Sequence, residues 1–82
     1  MEYLKNLEFL VQFGNNFKRL KKSKGFTQAE LANDLGIEIS QISGIERGVI
    51  NTSISTIHEI SKALKVEITD LFIFAKKRRI QV

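Results

Sequence analysis

Eighty-two residues with 13 basic and 9 acidic side chains, a net charge of +4, leave room for one domain and hardly for two. The absence of cysteine excludes disulfides and thiolate metal sites, and so short a chain without such staples fits a reducing, cytoplasmic setting better than secretion. No apolar run reaches bilayer length, and Glu2 and Glu8 interrupt the apolar start that a signal peptide needs.

The positive charge is unevenly placed. No acid lies between Glu8 and Glu30, while Lys18, Arg19, Lys21, Lys22 and Lys24 fill that gap; Lys76, Lys77, Arg78 and Arg79 form a second cluster. Such clusters suit a polyanion, nucleic acid first, although solvated helix faces and a solvated tail have the same composition.

With no proline and weak strand patterning, helices joined by short glycine- and serine-bearing turns are expected. Leu10, Phe13, Phe17 and Leu20 share one helical face. They predict a first helix over about 7–24 that ends at Gly25, with Gly14-Asn15-Asn16 as a weak spot; the first six residues extend it or form an arm. Thr27-Gln28-Ala29-Glu30 is a capping box that opens a second helix, with Leu31 and Leu35 inward and Gly36 as a left-handed stop.

A third helix runs over Ile39–Arg47 and stops at Gly48. Ile54, Ile57, Ile60, Ala63 and Leu64 mark a fourth. Ile68 to Phe72 opens a fifth, with Thr69 as its cap and Asp70 in its first turn, where an acid favours the dipole. The expectation is an all-α, compact five-helix domain over residues 1–75 and a basic tail over 76–82.

Catalytic chemistry is poorly supported. His58 is the only histidine and has no evident partner, so a surface role outweighs a base or a metal ligand. No serine sits in a nucleophile elbow, and Gly44 and Gly48 lack the ending of a phosphate-binding loop. No enzyme, cofactor, metal, membrane or small-molecule ligand is expected.

The second and third helices are joined only by Gly36-Ile37-Glu38, and Ala32 supplies the small residue that a steep crossing needs. Leu31, Leu35, Ile37, Ile42 and Ile45 form the shared core. From Phe17 to Phe72 the chain resembles the Cro/repressor-type (XRE) helix-turn-helix family. The resemblance rests on Thr27 to Ala32, Gly36, Ile42 to Gly48 and Asn51. Ile42 to Val49, followed by Asn51, is also similar to the small controller proteins of restriction–modification systems. The resemblance implies a phage-repressor type of domain, a helix-turn-helix over about 28–47, double-stranded DNA as partner, and a third helix in the major groove.

The residues themselves agree. With Ile42 and Ile45 inward, a turn of about 100° per residue points Ser40, Ser43, Gly44 and Arg47 outward, with Ile39 and Gln41 at the edges. Gly44, at about 1 kcal/mol less favourable than alanine in a helix, then reads as a device for close approach to the groove. Gln41 suits adenine; Ser40 and Ser43 suit base edges or phosphates; Arg47 suits a phosphate or guanine. Ile39 either meets a thymine methyl or is partly buried against Gly36 or Ile37.

By family position Gln28 and Asn51 contact phosphates, and Lys18 adds charge. Glu46 matches a glutamate that pairs with a basic residue of the first helix, here Lys21, which is otherwise a free surface charge; a lysine forgoes the bidentate geometry of arginine. Ile50 and Thr52 depart from a commonly basic or polar residue and a commonly present proline.

Leu71, Phe72, Ile73 and Phe74 are consecutive and cannot all face one core. A homodimer built on them is the simplest cover and suits a palindromic operator; the alternative cover is the N-terminal segment, Tyr3, Leu4 and Leu7. The implied function is transcriptional regulation by sequence-specific DNA binding. The alternative is an antitoxin or protein-interaction adaptor that uses the fifth-helix surface.

Overall fold

The computed structural model describes the backbone of residues 2–74 and the side chains of residues 6–74; the basic tail and the side chains of Tyr3 and Leu4 lie outside the described residues. Four α-helices follow in order: α1 Glu2–Ser23, α2 Gln28–Leu35, α3 Ile39–Arg47 and α4 Ile54–Leu64, and then a single 3-10 turn, Ile68–Phe72. No strand occurs among the described residues.

Among the described residues the expected fifth helix is therefore only this turn, and its cap is Glu67 rather than Thr69. The Glu67 N–H donates to the Asp70 carboxylate at 3.0 Å. Asn16, reaching over from α1, donates its side-chain amide to the carbonyls of Asp70 at 3.0 Å and Leu71 at 2.9 Å. Those carbonyls are satisfied from outside the segment, which removes the need for further helical turns to bond them.

α1 begins at Glu2, so the first residues extend the helix. Its buried face runs from Asn16, against the 3-10 turn, through Phe13 and Phe17, to Gly14 and Lys21, against α3. The glycine expected to weaken α1 is where that helix packs tightly on α3: a β-carbon at Gly14 would stand 2.6 Å from the Glu46 carbonyl oxygen and nearer still to that of Ile45. Phe17, Leu31, Ile42, Ile45, Ile60 and Leu64 are fully enclosed. Ile54, expected inward on α4, is 83% exposed; it is the first residue of that helix, and Ile57, Ile60 and Leu64 take the buried face.

Candidate nucleic-acid interface

The supports of the interface are local. Thr27 Oγ1 accepts from the Glu30 N–H and Glu30 Oε1 from the Thr27 N–H, both at 3.0 Å, which fixes the start of α2. Gly36 closes it at φ 69°, a left-handed conformation that costs glycine little. The Ile37 N–H returns to the Ala32 carbonyl at 3.0 Å. Ala32 is buried, so the chain turns tightly into α3.

On α3, Ser40, Gln41 and Arg47 are exposed and Ser43 is half-buried. Arg47 Nε donates to Ser43 Oγ at 3.4 Å, a long bond that holds the guanidinium along the helix. Ile39 is 48% exposed, which leaves apolar surface at the N-terminal end of this face.

Gly44 does not belong to the open face. It is buried. A β-carbon there would lie 2.5 Å from Ile50 Cγ1 and nearer still to Cδ1. Ile50 comes back over the helix because its N–H and that of Val49 both donate to the Gly44 carbonyl, at 3.3 and 3.0 Å. A helical wheel registers neighbours on its own helix and not a side chain returning from six residues later. With Gly44 covered, the open arc narrows to Ile39, Ser43, Arg47 and Ser40. Gln41 is exposed but stands about 100° round the helix from Ser40, beyond the covered glycine.

Behind this arc, Lys21 Nζ and Glu46 Oε2 are 3.2 Å apart, with both side chains 4% exposed. Lys21 is thus no free surface charge. Glu46 Oε2 has only this ammonium as partner, held by charge rather than by an aligned hydrogen bond. The Gln28 amide donates to the other oxygen, Oε1, at 2.9 Å. A primary amide has two hydrogens, so the phosphate role expected of Gln28 is left with one donor, on a side chain already oriented by Glu46. Asn51 and Lys18 are exposed and Thr52 is half-buried.

The expected dimer patch divides. Leu71 is fully buried in the core and cannot meet a second chain. Phe72 and Ile73 are 43% and 44% exposed, and Phe74 is half-buried. The residues that partly cover them are Phe9 and Phe13 of α1: Phe9 stacks on Phe72 with ring centres 6.4 Å apart, and Phe13 lies 5.0 Å from Phe72. Sequence reading takes Gly14 and Asn16 for a weak spot and Ile50 for a departure from the family, and misses that each positions a neighbouring element. Gly14 had a signal, since it shares the i, i+3, i+7 face of Phe17 and Lys21.

A family model described as Helix-turn-helix matches residues 17–71, more than half of the chain. The chain belongs to the helix-turn-helix family, of XRE type. It is 40% identical over 63 residues to control protein C.BamHI of Bacillus amyloliquefaciens, covering 76% of this chain and 78% of that one. It is 36% identical over 59 residues to antitoxin HipB of Escherichia coli O6:H1, covering 72% and 63%. Among solved structures, it resembles the restriction–modification controller protein C.AhdI from Aeromonas hydrophila. The TM-score is 0.74 at 38% identity, over 77% of this chain and 96% of that one. No described helix is long and apolar enough to cross a membrane.

Proposed function

We propose that this chain is a cytoplasmic, sequence-specific transcriptional regulator of the controller type, which binds a palindromic operator as a homodimer and acts without a catalytic step. Residues 1–75 form the DNA-binding domain, and the basic tail at 76–82 adds phosphate contacts. The observation that carries the reading is the uncovered arc Ile39, Ser40, Ser43 and Arg47 on α3, set beside the capped start of α2 where Gln28 stands. Short polar side chains flanked by one arginine and one apolar residue suit a major groove, with Arg47 to guanine or phosphate and Ile39 to a thymine methyl. Gln41, which stands outside this arc beyond the covered Gly44, reads a base from its flank. Lys18, Gln28 and Asn51 hold phosphates.

The test is selection of bound duplexes from a random pool, followed by band shifts with Arg47→Ala and Gln41→Ala. Recovery of a palindrome, and loss of preference for it in the double variant, support the reading. Unchanged preference in the double variant refutes the groove assignment.

A second reading, an antitoxin or adaptor, is favoured by one feature: Phe9, Ile50, Ile54 and Phe72 edge an apolar groove beside α3, and Phe9, Ile54 and Phe72 are markedly exposed. Stable co-purification with one specific protein and no DNA shift would establish it instead.

A further inference from the structure

Gly44 and Ile50 meet where two functions adjoin. α3 carries the proposed base-reading arc, and the segment after it carries Asn51, proposed to hold a phosphate. The junction between them is one carbonyl and one side chain. The Gly44 oxygen takes the N–H groups of both Val49 and Ile50, and Ile50 lies where any larger residue at 44 would project its β-carbon. Ile50 also packs on the core and lines the groove formed with Phe9, Phe13 and Ile57. Its seat over Gly44, together with those two N–H bonds, therefore sets how far the loop stands from the helix.

We propose that Gly44 and Ile50 act as one positioning pair, which fixes the phosphate-gripping loop relative to the base-reading face of α3. The pair touches no base; it acts through Asn51 and its neighbours. This rests on the DNA-binding reading above, but its geometric half concerns the loop alone.

A β-carbon at 44 collides first with the flexible end of Ile50. Ile50 then has to move, and the backbone that carries it shifts with it. The loop's phosphate grip loosens for every sequence alike, because phosphates carry no base identity. Gly44→Ala is expected to weaken binding about tenfold, equally for a duplex recovered by selection and for a mixed-sequence duplex. Melting temperature shifts by less than about 5 °C, since alanine's better helix propensity offsets part of the lost packing.

Ile50→Ala alone keeps the two N–H bonds to Gly44 and weakens binding by no more than about threefold. The double variant Gly44→Ala with Ile50→Ala removes the two closest collisions and leaves a β-carbon contact of 3.2 Å, which a few tenths of an ångström of give relieve. Its binding returns to within about threefold of the parent. Amide exchange of residues 49 and 50 follows the same order: faster in Gly44→Ala, slow again in the double variant. Ile50→Phe overfills the seat with Gly44 intact and weakens both duplexes, so the proposal stands to be tested even where Gly44→Ala does not fold.

Gly44→Ala binding like the parent overturns the proposal. So does a double variant as weak as Gly44→Ala, which would return Gly44 to direct contact with the groove. If the parent protein shifts no duplex, the DNA reading fails on its own; the exchange rates then still decide whether residue 44 positions the loop.

Discussion

Lys21 on α1 and Glu46 on α3 meet at 3.2 Å in a setting where both are almost wholly withdrawn from water. A buried pair of this kind adds little net stability over apolar residues, but removing one partner leaves a buried charge without compensation. Lys21→Ala is accordingly expected to destabilise the fold by about 3–5 kcal/mol, measured by urea denaturation. Lys21→Met combined with Glu46→Leu should lose much less. A double variant as unstable as Lys21→Ala would show that the charge is not the cause. Gln28 loses its partner in that double variant, so its DNA affinity should fall even where its stability does not.

The crossing of α1 on α3 depends on Gly14. A β-carbon there meets the carbonyl oxygens of Ile45 and Glu46, which are backbone and cannot rotate away. Gly14→Ala should gain about 1 kcal/mol of helix propensity and lose more than that by forcing the helices apart. A net loss of about 2 kcal/mol is expected, or roughly 8–16 °C in melting temperature for a domain of this size. An unchanged melting temperature would show that α1 slides without penalty.

What could be read from residue order alone follows from how local each signal is. The capping box at Thr27 and Glu30, the stops at Gly36 and Gly48, and the span Ile39–Arg47 depend on neighbours within one turn, and each is found where expected. The turn at Ile68–Phe72 departs from the expected helix because its form depends on Asn16, some 54 residues away along the chain. Gly44 departs from its expected outward place for the same kind of reason, its cover arriving from the following loop. The Lys21–Glu46 link came from family resemblance and not from spacing, since no helical period connects α1 to α3.

Lys65 closes α4 at φ 59°, ψ 45°, the only described residue other than glycine with positive φ. A side chain in this left-handed conformation costs about 1–2 kcal/mol. Lys65→Gly should relieve part of it, although glycine also gives the unfolded chain more freedom. The expected net gain is about 0.5–1 kcal/mol by denaturant midpoint, with no change in DNA binding, because Lys65 lies on the far end of α4 from the loop at Asn51. A loss of stability would show that the lysine is held by contacts beyond its backbone.

Phosphate and base contacts should separate by their salt dependence. Lys18 is exposed on α1 and, in the proposed complex, neutralises one phosphate. Lys18→Ala should weaken selected and mixed-sequence duplexes by the same factor and reduce the slope of log affinity against log salt by about 1. Ser43→Ala removes the acceptor for Arg47 Nε and changes no charge. It should leave that slope alone and lower only the ratio between selected and mixed duplexes, by about fivefold. If Lys18→Ala alters base preference, or Ser43→Ala alters the slope, the two residues have been given each other's roles.

The proposed dimer makes a separate claim on the exposed apolar residues. Leu71 is already committed to the core, so the surface left for a second chain is Phe72 and Ile73, with Phe9 and Ile54 beside the groove. Polar replacement of residues so exposed should cost the monomer little, under about 1 kcal/mol. Phe72→Ser is the less neutral choice, because Phe9 and Phe13 lie against that ring. Ile54→Ser, at 83% exposure, is the cleaner one. Sedimentation equilibrium should show the parent chain as a dimer and Ile54→Ser shifted toward monomer. Operator affinity should fall at least tenfold, because two half-sites then have to be bound independently. A parent chain that sediments as a monomer at all accessible concentrations would refute the dimer while leaving the α3 assignment intact.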